Sequence, residues 1–208
     1  MNKSDLHLWI CHYFAPELRA AIAGVPEMER TLIHTFPACC GCPVLPIDAV
    51  RTQIATLSTE APIVWIGGIC LEPQLKKLAD ERCFQLHHLK QCFHLVADPD
   101  WVDAQLREGA YLCTPGWLAN WPDHLARLGL ETPELARSLF GESIQRLVLL
   151  DTGQDQRAPA RLAAFAAHVD RPAATIWVGL GYLRLRLIGL VERLNRDAER
   201  QSAAALLI

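Results

Sequence analysis

Short apolar, β-branched runs alternate with amphipathic segments along this chain, and that rhythm restricts the folds open to it more than any other feature. Parallel strands need a crossover between them, usually a helix, so the alternation points to an α/β fold on a largely parallel sheet. Residues 6–11 (LHLWIC), 31–36, 63–69, 84–89, 110–113, 146–150 and 175–178 read as strands. The 63–69 run is continuously apolar, as a strand covered on both faces should be.

Helical spacing falls between these runs. Pro16 followed by Glu17 opens a helix over 16–22, and Ile47, Val50, Ile54 and Leu57 give one apolar face over 47–57. Further helices are expected over 72–78, 100–107, 117–128, 133–140 and 159–169. From Leu183 a single long pattern carries Leu187, Val191, Leu194, Ala198 and Gln201 on one side and mixed charges on the others. The expected architecture is an α/β domain over 1–182, with a mostly parallel sheet of about seven strands in Rossmann-like layers, followed by a C-terminal helix over 183–208. That helix either packs back on the domain or pairs with a second copy as a short coiled coil, giving a homodimer.

Composition narrows the partners. A chain of 208 residues with 51% hydrophobic residues buries a real core without disulfide staples. Its net charge of -3 and pI near 6.2 lack the basic footprint of a nucleic-acid binder. The N-terminal MNKSDLHLWICHYF has no signal-peptide pattern, and no apolar run approaches the roughly 20 residues of a membrane-spanning helix, so a cytoplasmic location is expected. In a reducing compartment, eight cysteines point to metal or redox chemistry rather than to structural disulfides.

The positions of those cysteines carry the functional reading. Cys11 closes the first strand-like run, Cys39, Cys40 and Cys42 follow the second, Cys70 the third and Cys92 the fourth, while Cys113 closes the fifth. Strand ends of a parallel sheet share one rim, so separate loops can bring thiolates to one point. Soft thiolates select zinc, copper(I) or iron–sulfur clusters. The expected ligands are Cys11, Cys42, Cys70 and Cys92, with Cys39, Cys40, His12, His94 and Glu72 as alternative or supporting groups. An iron–sulfur cluster is the expected cofactor and zinc the alternative. Cys83 and Cys113, inside or flanking strands, read better as small core residues.

Cys39 and Cys42 also form a C-x-x-C pair ahead of a helix, where a thiol pKa falls. A third thiol inside the pair and Pro43 outside it depart from the thioredoxin pattern, which ranks dithiol exchange below metal binding and leaves a regulatory disulfide open. Gly67-Gly68 and Gly179-Leu180-Gly181 end strands without a phosphate-binding fingerprint. Asp151-Thr152-Gly153 reads as a turn, and no serine sits in a nucleophile elbow. Trp117 and Trp121, beside Pro115-Gly116, are spaced to roof a site. The expected pocket lining is Gly67, Gly68, Thr114, Gly116, Trp117 and Asp151.

Four segments carry a family resemblance: Cys92-Phe93-His94-Leu95, the GAYLCTPGWLANW block, Leu149-Leu150-Asp151-Thr152-Gly153 and Val178-Gly179-Leu180-Gly181-Tyr182. They resemble domain-of-unknown-function family 1638, over a span from about the first strand to about Leu194. Members occur as stand-alone proteins in methanogens and bacteria and ahead of PAS and histidine-kinase modules. The resemblance implies an α/β domain with cysteines in the first strand, after the glycine-rich third strand and in the "QC" segment, here Cys11, Cys70 and Cys92. It also implies a link either to sensing or to methyl and corrinoid metabolism. The leading expectation is a cytoplasmic sensory or ligand-binding domain, more sensor than enzyme, with a signalling partner such as a downstream kinase. The alternative is a metal-dependent enzyme or accessory factor in methyl-group, corrinoid or cofactor metabolism, with Glu72, His12 and His94 as its acid–base groups.

Overall fold

The computed structural model describes residues 6–37, 40, 47–55, 62–68 and 84–205. Strands β1 (Leu6–Cys11), β2 (Thr31–Phe36), β3 (Ile63–Gly67) and β4 (Gln85–His88) form one sheet in the order β2-β1-β3-β4. Strands β5 (Ala110–Cys113), β6 (Arg146–Asp151) and β7 (Ala173–Trp177) form a second, in the order β5-β6-β7. Every pairing is parallel. The α/β class and the seven strands match expectation, but the single sheet is corrected to two. The break falls after β4, whose sequence QLHH is short, polar and exposed at both ends, the character of a sheet edge.

The helices are α1 (Ala15–Ile22), α2 (Ile47–Ala55), α3 (Pro99–Arg107), α4 (Pro115–Leu118), α5 (Trp121–Arg127), α6 (Pro133–Ser143), α7 (Ala158–Val169) and α8 (Gly181–Ala205). Their starts follow from side chains that satisfy unpaired first-turn N–H groups. Asp98 accepts from the N–H groups of Asp100 and Trp101 at 3.0 and 3.1 Å, and Thr114 and Thr132 cap α4 and α6. The helix expected over 117–128 is two helices, because Pro122 has no N–H to offer the carbonyl of Leu118. The helix expected over 72–78 lies outside the described residues.

One contiguous core spans both sheets, from Leu8, Ile10, Val64 and Trp65 in the first to Leu147, Val148, Leu149 and Leu150 in the second. The long α8 buries Leu183, Leu187, Leu190 and Val191 against its own domain, and Arg184 Nε donates to the Ala21 carbonyl of α1 at 2.9 Å. The helical turn His12–Phe14 that follows β1 and the helix α4 that follows β5 also abut. Gly116 lies so close to the Tyr13 backbone that no side chain fits at that position. Among the described residues, no helix is long and apolar enough to cross a membrane.

Candidate functional site at the rim of the first sheet

The strand order sets the place. From β1 the chain moves out to β2, then returns past β1 to β3 on its other side. Such a reversal opens a crevice above the carboxyl ends of the two strands it separates, the usual ligand position in open α/β sheets. Cys11, the last residue of β1, stands at that crevice and is buried.

Side chains alternate along a strand, so His7, Trp9 and Cys11 share one face of β1. The register sets Trp9 beside His34 of β2 and Trp65 of β3, and Cys11 beside Phe36. The rings stack accordingly: Trp9 lies 4.9 Å from Trp65 at 6° between planes, and 4.6 Å from His34. Phe36 and Trp65, on opposite sides of β1, meet at 5.2 Å and wall in the Cys11 face. His34 Nε2 is paired with His7 Nδ1 at 2.8 Å.

Cys92 arrives from the other direction. It begins the 3-10 turn after β4, and its sulfur fills the room left by Gly68 at the end of β3, since a Cβ on Gly68 would sit 2.7 Å from Cys92 Sγ. The preceding Gly67 carbonyl accepts from Leu89 N–H at 2.7 Å and fixes this approach. His94, two residues on and buried, holds Asp103 Oδ1 through Nε2 at 3.0 Å. Lys90, then His94, hydrogen-bonds the Asp103 carboxyl and keeps it below the usual carboxylate range. An imidazole committed to a carboxylate through one nitrogen is oriented through the other, the arrangement that steadies metal-binding histidines. His12 is exposed and donates from Nδ1 to the Phe36 carbonyl at 3.3 Å.

Sequence reasoning missed the groups that line the seam between the sheets. Tyr13 OH and His124 Nε2 are hydrogen-bonded at 2.8 Å, joining residues from the two halves. Burial and the nearby charge of Cys40 and Cys11 push the phenol up to about 12, while burial and Arg127 lower the His124 imidazole. Glu17 on α1 is 1% exposed and accepts from Thr152 Oγ1 at 3.1 Å, whereas its Oε2 has no hydrogen-bond partner among the described residues. Burial raises this carboxyl above its ordinary value. An acid in a first helical turn ordinarily faces water, so the sequence carries no signal for this burial.

The remaining expected residues divide between places. Thr114 caps α4, and Gly116 and Trp117 lie within it at the seam, where Trp117 is buried with its ring 5.0 Å from His124. Trp121 faces elsewhere, into a cavity of about 260 Å³ shared with Asp123, Leu125, Glu131 and His168. Asp151 bends its own turn by accepting from Gly153 N–H at 2.8 Å. Cys113 is fully buried, which raises its thiol far above the ordinary range. Cys40 is exposed, and Cys39, Cys42, Cys70, Glu72 and Cys83 lie outside the described residues. Among the described residues no three histidine, cysteine or acidic side chains gather to hold a metal ion; of the expected ligands, only Cys11 and Cys92 are described.

A family model described as "Protein of unknown function (DUF1638)" matches residues 47–186. No curated protein and no solved structure matches the chain. The match takes in Cys70 and Cys92, while Cys11 and the cysteines after β2 precede it.

Proposed function

The chain belongs to the DUF1638 family, whose description assigns no chemistry, and from the rim geometry we propose that it is a sensory or ligand-binding domain holding a thiolate-bound iron–sulfur cluster or zinc ion. One observation carries this reading: the four cysteine-bearing segments follow four laterally adjacent strands. The Cys39–Cys42 cluster comes after β2, Cys11 ends β1, Cys70 comes after β3 and Cys92 after β4, in the sheet order β2-β1-β3-β4. All four strands are parallel, so these segments leave the same edge of the sheet.

Two described thiols support the reading. Cys92 Sγ rests in a glycine cradle at Gly68, and Cys11 ends the strand beside it. The ligand set is Cys11, Cys70, Cys92 and one of Cys39, Cys40 and Cys42, with His94 held by Asp103 as a supporting group. When bound, the metal or cluster supplies an electron-accepting or ligand-exchanging centre. The chain's part is to hold the sulfurs, exclude water with the Phe36–Trp65 wall and pass displacement onward. The segment after Cys11 reaches the second sheet through Tyr13–His124 and Glu17–Thr152, and α8 through the Ala21 carbonyl and Arg184.

Anaerobic purification followed by metal analysis and a visible spectrum tests the reading. The expected result is iron with acid-labile sulfide, or stoichiometric zinc, lost in Cys70→Ala and Cys92→Ala. A colourless, metal-free protein whose cysteine variants behave like the wild type would overturn it.

A further inference from the structure

We propose that the cavity between α5, the segment leading into α6, and α7 binds a small aliphatic amine in its protonated form, held by Asp123 and Glu131 against the ring of Trp121. None of its lining belongs to the rim of the first sheet, and it depends on no metal. Its volume of about 260 Å³ falls just below the roughly 300–1,000 Å³ of pockets for drug-sized ligands, which sets the scale of the guest.

The lining sets its charge. Asp123 and Glu131 reach the cavity from two elements, and neither makes an ion pair or a side-chain hydrogen bond among the described residues. No lysine or arginine among those residues lines the cavity to offset them. Trp121 supplies the aromatic wall. Its ring packs against Phe165 at 5.3 Å yet stays half-buried, and of the aromatic side chains an indole attracts a cation most strongly. The dipole of α5 accounts for an acid in its first turn, but not for Glu131, which stands outside that helix and ahead of the Thr132 cap of α6, nor for the indole beside them. A bare metal ion is the poorer guest, because no three histidine, cysteine or acidic side chains among the described residues gather to hold one. An ammonium group needs no such shell; it donates hydrogen bonds to carboxylates and rests its charge on the indole face. Occupancy also reaches the seam. Asp123 is followed on α5 by His124, which is hydrogen-bonded to Tyr13 in the other half.

Calorimetric titration of the whole chain with 1,4-diaminobutane tests this. The expected result is saturable binding of one molecule per chain, absent with the uncharged butane-1,4-diol. Asp123→Asn and Glu131→Gln should each weaken binding about fivefold, the worth of an exposed ion pair. Trp121→Leu should weaken it about threefold. Asp100→Asn, which removes an exposed acid on α3, should leave it unchanged. Asp123 and Glu131 are both exposed, so their variants keep the fold. In nuclear magnetic resonance spectra, the ring signals of Trp121 and His168 should move on saturation and those of His34 in the first sheet should not. No saturable binding, an equal loss in Asp100→Asn, or tighter binding of magnesium or zinc at the same two acids would overturn the assignment.

Discussion

Glu17 shows how much one side chain can cost its fold. Its carboxyl is sealed from water, satisfied on one oxygen by Thr152, and raised in pKa chiefly by burial. For a carboxyl shifted upward, the folded state binds the proton more tightly than the unfolded chain. The fold therefore bears no penalty below the unfolded value near 4.3, and loses stability as pH rises from there through the folded value. Glu17→Gln, which keeps the shape without the charge, should raise the denaturation midpoint at pH 7 to 8 and leave it nearly unchanged at pH 4; an equal shift at both would contradict the buried-charge account. This residue was not legible in the sequence, because an acid in a helix's first turn ordinarily faces water and complements the helix dipole. Tyr13–His124 was hidden for another reason, a separation of 111 residues that no local pattern spans. The cysteines were legible because strand ends can be located from apolar runs and glycines, as Cys11, Gly68 and Cys92 illustrate.

Among the elements, β1, β2 and β5 have the bounds read from the sequence; β1 and β5 are largely buried runs with sharp ends, while β2, TLIHTF, is mostly half-buried or exposed. Partnership was not readable, since each strand's pattern records whether it is covered and not which neighbour lies beside it. Only the polar QLHH of β4 signalled that the first sheet stops there. The helix α3 is fixed more locally. Asp98 takes two first-turn N–H groups, so Asp98→Ala should cost about 1 kcal/mol of stability in chemical denaturation. Because α3 also carries Asp103, fraying of its first turn should loosen the hold on His94. For α8, the stripe that suggested pairing between copies is occupied as far as Val191 by the protein's own core. Any pairing falls beyond Leu194, where Asn195, Arg196 and Asp197 are exposed.

At the scale of the molecule, two sheets are joined rim to rim by a continuous core, by Gly116 against Tyr13 and by two buried side-chain hydrogen bonds. The central place of β1 in the first sheet bears on how the family's members can be handled. The family match, residues 47–186, omits β1 and β2 altogether. A fragment cut to those limits would bare the inner edge of β3, whose IVWIG is wholly apolar and normally hydrogen-bonded to β1. An open edge of that kind recruits another chain. Light scattering should find the 47–186 fragment assembling into large particles at concentrations where the whole chain stays dispersed, and a monodisperse fragment would contradict this. In a chain so arranged, the strand that ends in Cys11 doubles as a guard against aggregation, and losing it would mimic a solubility defect before any loss of function could be measured.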